Sequence, residues 1–223
     1  ACGFKMQAMF FLPAIATVFM AQGVSPLYFS LTPAFYFVAS IPPLLLGRSF
    51  TNILAIYPRQ FDESGSLTMN AASIYQWLPA TSEPKALARG GLAFAAGACA
   101  LAAYLILRLS RRPFRTESLL HIAFFLSALC PFLLPHMHER YALASDVLAC
   151  IVPFVTPALA GPAVLFVFAS LVSYGPFIGA NWMPVSYASM INLVALGWTA
   201  RHLARELGIG NALTAQADKA LPL

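Results

Sequence analysis

The chain has 223 residues, 60% of them hydrophobic and only 9% charged, with a mean hydropathy of +0.74. A water-soluble domain carries about 25% charged residues, so this composition leaves too little polar surface to cover a globule in water and points to a polytopic membrane protein. The formal charge of +5 is no argument for nucleic acid, because basic residues at membrane rims give the same sum.

The chain opens Ala-Cys-Gly-Phe-Lys directly before an apolar run, as expected of a piece of a longer protein, and no charged start with a cleavage site marks a signal peptide. Apolar stretches long enough to cross the hydrocarbon, about 20 residues at ~1.5 Å each, fall at about 6–22, 27–46, 86–107, 117–134, 142–160, 163–180 and 184–200. Backbone groups cannot stay unpaired in lipid and no strand alternation competes. The expected fold is therefore an all-α transmembrane bundle of about seven spans over residues 1–200, with 201–223 a cytoplasmic tail. Pro42, Pro43, Pro153 and Pro157 sit in or at the ends of these runs. The boundary between the fifth and sixth spans is marked only by Ala160-Gly161-Pro162.

Arg108, Arg111, Arg112 and Arg115 form a dense basic loop without an acid. The positive-inside rule puts this loop in the cytoplasm, and the tail with Arg201, Arg205 and Lys219 follows it there. By alternation the outside receives Gly47 to Lys85, the segment around His136–Tyr141 and the turn near Gly175–Met183. The overall basic tally of the two sides is nearly even, so orientation rests on the arginine loop. The outside cations then need a reason to be there, and anion binding is one.

Within the long outer loop, Arg59 to Gly65 reads as a solvated turn. After it, Leu67, Ala71, Ile74 and Leu78 fall on one helical face, with Asn70, Ser73 and Trp77 on a neighbouring one. Pro79 stops the pattern, and Tyr75 and Trp77 suit the headgroup layer. A short interfacial helix on the outer rim is expected. The cysteines Cys2, Cys99, Cys130 and Cys150 are scattered without C-x-x-C spacing and read as small apolar packers.

The densest polar stretch is His136-Met-His138-Glu139-Arg140-Tyr141, with Asp146 shortly after, between runs of nearly pure hydrocarbon. Charge is costly beside lipid, so such a cluster belongs at a membrane boundary or facing a polar cavity. The order of Lys5-x-Gln7 opening a span, Leu67-Thr-Met-Asn70-Ala-x-x-x-Tyr-Gln-Trp77 in an outer loop, and His138-Glu139-Arg140-Tyr141 after an apolar helix resembles the membrane glycosyltransferases of the GT-C class. It is most similar to bacterial relatives of the Gpi-anchor mannosyltransferases, over roughly residues 3–150. It departs from the pattern at Ser73, where a second Asn is expected.

That resemblance implies a hexosyltransferase, mannose by analogy, using a polyprenyl- or dolichyl-phosphate sugar on the extracytoplasmic face. The acceptor would be a glycan, lipid or protein, and the setting the bacterial inner membrane. The family places its catalytic acid, with any metal-binding carboxylate, in a first outer loop that this sequence does not contain. The catalytic residue is thus expected upstream of residue 1. This chain would be a C-terminal portion, inactive alone, with no cofactor of its own; a divalent metal, if the full-length protein uses one, belongs to the missing loop.

Inverting sugar transfer from a lipid phosphate needs a base for the acceptor hydroxyl and cations for the departing phosphate. Arg140 suits the phosphate through its two-pronged geometry. His138 can donate a second hydrogen bond, and Glu139 can orient either or hold a sugar hydroxyl. The plain alternative is a rim salt bridge between Arg140 and Glu139 with solvated histidines. Tyr141 completes the tetrad. Lys5 and Gln7 are read as lipid-phosphate or sugar contacts, against a snorkelling lysine. Asn70, Gln76 and Trp77 are read as sugar contacts, against an interfacial anchor.

His136-x-His138 with Glu139 could make a metal set, but nearby carboxylates are few and no metal site is assigned. Asp146 is expected to face the bundle interior, pairing with Arg140 or ordering the cluster. Arg48, Arg59 and Arg89 read as headgroup contacts. A transporter or flippase for a lipid-linked or anionic solute is the alternative function, with Arg140, His138 and Asp146 lining the path, although no related halves are visible. A non-catalytic scaffold would leave the polar cluster unexplained.

Overall fold

A computed structural model describes residues 10–56, 66–78, 84–110, 112–180 and 182–209. The helices are α1 (Leu12–Ala21), α2 (Leu31–Leu45), α3 (Phe50–Leu54), α4 (Pro84–Leu109), α5 (Thr116–Leu133), α6 (Leu143–Val155), α7 (Ala160–Tyr174) and α8 (Val185–Glu206). Short 3-10 turns extend several of them. Among the described residues the extended pairing is limited to β1 (Thr68–Met69) beside β2 (Met137–His138), which run parallel, and an isolated bridge.

Among the described residues, four helical stretches are long and apolar enough to cross a membrane: Leu27–Leu45, Lys85–Leu109, Thr116–Leu133 and Pro157–Ile178. The first expected span, 6–22, appears as the shorter apolar α1, its opening residues lying outside the described ones. The last, 184–200, appears as the 22-residue α8, which is long but more polar. The fifth, 142–160, is cut short. Thr156 is extended at φ −137° and ψ 92°, as the clash of a proline ring with the residue before it requires. The break between the fifth and sixth stretches therefore falls at Thr156-Pro157 rather than at Ala160-Gly161-Pro162, and Pro162 sits in the first turn of α7.

α5 is the centre of the bundle. It packs against α1, α4, α6 and α8, and Ile122, Phe124 and Leu126 are at most 1% exposed. Lipid tails are as apolar as leucine, so helices in lipid associate through close packing and hydrogen bonds rather than through a hydrophobic force between them. The sequence meets that need with small residues at the contacts, including Ala128, Ala149, Ala163, Ala169, Ala188 and Ala195, all buried. A Cβ at Gly161 would come within 2.7 Å of the Trp198 ring, so glycine is what lets α7 and α8 approach there. Hydroxyls of Thr17, Ser40, Ser173 and Thr199 donate to the carbonyl four residues earlier and so are satisfied within their own helices. Large apolar side chains such as Phe94, Leu101, Phe154, Val164 and Leu171 point outward.

The expected interfacial helix over 67–78 is not what forms. Asn70 is left-handed at φ 62°, which ends any helix there, and the 3-10 turn covers only Ile74–Trp77. Leu67, Ala71, Ala72 and Tyr75 are buried, so the segment plugs into the bundle instead of lying along its rim. The carboxamide of Asn192 donates to the Ala72 carbonyl at 3.0 Å and the Ser189 hydroxyl to the Ser73 carbonyl at 2.6 Å. Two polar side chains of α8 thus hold a loop whose backbone would otherwise be unpaired. Ser73, the position where the family resemblance expects Asn, contributes its carbonyl to this clamp.

Candidate functional site at the loop-bearing end of the bundle

α5 ends at Leu133 because Pro135 follows: Leu134 is pushed to ψ 139°. His136 then takes a left-handed φ of 59°, a costly conformation for a residue with a Cβ. Two bonds hold it: its backbone N–H donates to the Leu67 carbonyl at 2.7 Å, and its ring Nδ1 donates to the Ser66 carbonyl. The reversal sets Met137–His138 alongside Thr68–Met69, and Asn70 bridges back to His138. The chain then winds through a 3-10 turn, Glu139–Ala142, into α6. Two segments nearly 70 residues apart in sequence meet here.

Tyr141 is the hub of four aromatic and charged groups. The Arg140 guanidinium lies 5.8 Å from the centre of the Tyr141 ring, within cation–π reach. The His138 ring meets Tyr141 edge to face at 5.2 Å and Phe10 lies tilted against it at 5.3 Å. Lys5 and Gln7 lie outside the described residues, yet Phe10 brings the start of the first apolar stretch to this cluster. Arg140 is exposed, His138 and Tyr141 are half-buried and Glu139 is buried.

Among the described residues, no ion pair joins Arg140 to a carboxylate, so the rim salt bridge with Glu139 does not form. Glu139 instead has His138 Nδ1 at 3.8 Å. Burial first, then the Arg140 charge, holds His138 below the ordinary histidine range, with Glu139 opposing both. Asp146 does not pair with Arg140 either: its Oδ2 accepts from Ser170 on α7 at 2.7 Å. Among the described residues, His136, His138 and Glu139 do not converge as a three-ligand group, and His136 Nδ1 donates to the Ser66 carbonyl.

Of the expected sugar contacts, Asn70 is exposed beside His138. Trp77 directs its indole N–H to the Ser186 carbonyl at 3.2 Å and its edge to Phe132, leaving the ring 40% exposed. Gln76 is a structural residue: its amide donates to Thr68 Oγ1 and to the Ala71 carbonyl at 3.2 and 3.0 Å. Among the described cations, Arg48 and Arg89 are exposed, whereas Arg59 lies outside the described residues.

Two spaces adjoin the cluster. Behind Glu139 a cavity of about 30 Å³ touches Ser145, Ser170, Ser173 and Asn192. It has room for water but not for a sugar ring, so a substrate would have to approach on the Arg140 side. On the other flank an apolar groove of about 440 Å³ runs between α1 and α4 over Cys130 and Leu134 of the α5 end, starting at Phe10. Phe10, which lines this groove, also touches Tyr141, so one ring separates the apolar space from the tetrad.

A second polar cluster, which the apolar-run reading of the sequence passed over, lies at the opposite end of α5: His121, His202 and Glu206. The available signal was the four-residue spacing of His202 and Glu206, which puts both on one helical face. Comparison with protein-family models, with curated protein sequences and with solved structures finds no match to this chain.

Proposed function

We propose that this chain forms the lipid-phosphate end of a membrane glycosyltransferase similar to the GT-C class. It would move a hexose, mannose by the resemblance, from a polyprenyl phosphate to an extracytoplasmic glycan, lipid or protein acceptor. The observation that supports the reading is the relay of contacts from Phe10, which lines the apolar groove, through Tyr141 to the exposed Arg140. An isoprenoid chain matches the groove in chemistry, and its phosphate would then fall beside a guanidinium and an imidazole.

In the transfer, the acceptor oxygen bonds to the anomeric carbon as the bond from that carbon to the phosphate oxygen breaks. The phosphate leaves with the electron pair, and Arg140 and His138 stabilise the charge it gains. The acceptor proton passes to a base that is not assigned among these residues. Asn70 and the open face of Trp77 flank the rim where the sugar would sit. This reading includes seven spans in a bacterial inner membrane, with the Arg108–Arg115 loop cytoplasmic and Arg140 outside.

The transport alternative has Arg140, His138 and Asp146 lining a path; Asp146 accepts a hydrogen bond from Ser170 on α7 rather than pairing with Arg140. The test is sugar transfer by the complete protein with a purified polyprenyl-phosphate sugar. Arg140→Ala is expected to lower turnover about 10²–10³-fold while the protein still inserts and melts normally. Wild-type turnover in that variant would remove Arg140 from the proposal.

A further inference from the structure

His121 opens the buried part of α5, and His202 and Glu206 close α8. One ligand-type atom from each lies within 4.8 Å of the other two. His121 Nδ1 is 2.7 Å from Glu206 Oε2, and His202 Nε2 is 4.0 Å from the same oxygen. The histidine rings stand edge to face at 5.5 Å. A His–Glu hydrogen bond accounts for His121 but not for His202, which converges on the same carboxylate oxygen from beyond hydrogen-bond distance.

We propose that His121, His202 and Glu206 bind one divalent transition-metal ion, zinc by the match of two imidazoles and a carboxylate, and so tie α5 to α8 at the end of the bundle away from Arg140. In a four-coordinate zinc site the donors stand about 3.3 Å apart, given metal–ligand bonds of about 2.0–2.1 Å. The two separations to Glu206, 2.7 and 4.0 Å, bracket that value, and the two imidazole donors lie within 4.8 Å of each other, so binding asks for side-chain rotation and no movement of the helices.

The surroundings already have the form of an outer ligand shell. His121 Nε2 is 2.9 Å from the Thr156 hydroxyl, and the second carboxylate oxygen of Glu206 accepts from Ser118 at 2.6 Å. With Nδ1 on the metal, Nε2–H donates to Thr156, which fixes both tautomer and ring direction. Thr156 is available because the helix breaks there, before Pro157. Arg112 donates to the backbone carbonyl of Glu206 and not to its carboxylate, so the ligand oxygen is not neutralised by it. Three protein ligands leave a fourth position open. The three ligands line a pocket of about 420 Å³ together with Arg112, Arg115 and Glu117, which leaves room for a water or other small fourth ligand.

The test uses the full chain purified in detergent and stripped with a chelator. Titration with zinc chloride is expected to give one ion per chain and a raised melting temperature, and cobalt substitution the visible absorption of a four- or five-coordinate ion. His202→Ala and Glu206→Gln should each weaken zinc binding at least tenfold. Thr156→Val, which keeps the side-chain shape, should weaken it about 10-fold or more through His121 alone. This variant reads the site even if the ligand variants fail to fold. Absence of stoichiometric zinc in the wild type, or zinc affinity as tight as the wild type's in Thr156→Val or in the ligand variants, overturns the proposal.

Discussion

The Tyr75 hydroxyl donates to the Leu133 carbonyl at 3.1 Å, satisfying a helix-end oxygen of α5 from a loop 58 residues away. The ring reaches it only because position 91 on α4 is glycine: a Cβ there would come within 2.0 Å of that hydroxyl oxygen and 2.9 Å of the ring carbon bearing it. This contact locks the loop that carries Asn70 and Trp77 onto the end of α5 that carries His138 and Arg140.

Gly91→Ala is therefore expected to destabilise the protein by about 1–3 kcal/mol through overpacking. Tyr75→Phe should cost about 1–3 kcal/mol by leaving a buried carbonyl unpaired. In the Tyr75→Phe background Gly91→Ala should cost less than it does alone, because the atom in closest conflict is gone. Chemical unfolding in detergent measures the cycle. Strict additivity would show that the two residues do not meet.

His138 supplies a pH test. Its pKa is lowered from the ordinary 6.5 by burial and by Arg140, and a bound phosphodiester favours the protonated ring. Affinity for the lipid phosphate should rise as pH falls from the ring's pKa in the complex toward its depressed pKa in the free folded protein. Folding stability runs the other way: the unfolded ring takes up its proton first, so stability declines as pH drops below 6.5. Binding isotherms of the wild type and His138→Gln across this range check the sign. An affinity that stays level in both proteins would rule out His138 as a phosphate contact.

Topology is read by single cysteines on a cysteine-free background. Ser66 and Arg112 are both exposed and, in the proposed orientation, face opposite sides. Ser66→Cys in intact cells should react with an impermeant maleimide, and Arg112→Cys only after permeabilisation. The reverse labelling would invert the bundle and place Arg140 in the cytoplasm.

The helical bundle was legible because hydrophobic length is a direct physical signal. Four expected spans return as Leu27–Leu45, Lys85–Leu109, Thr116–Leu133 and Pro157–Ile178. What local pattern could not show was competition from distant partners. The spacing of Leu67, Ala71, Ile74 and Leu78 fits a helix, yet the segment gains more by pairing with Met137–His138 and by accepting hydrogen bonds from Ser189 and Asn192. His138, Arg140 and Tyr141 are neighbours in the sequence, and the structure adds the bridge from Asn70 to His138. The burial of Glu139 and the Asp146–Ser170 bond were not legible there, since each depends on how α6 meets α7. His121 went unread because one histidine in an apolar run carries no local sign of the glutamate that meets it from α8.

Everything functional rests on an anionic lipid docking beside Arg140. The most direct measurement is equilibrium binding of a polyprenyl phosphate to the purified chain and to Arg140→Ala, at fixed salt and detergent. The wild type should bind at least tenfold more tightly than Arg140→Ala, with the difference shrinking as salt is raised. Equal affinities for the two proteins would contradict the account.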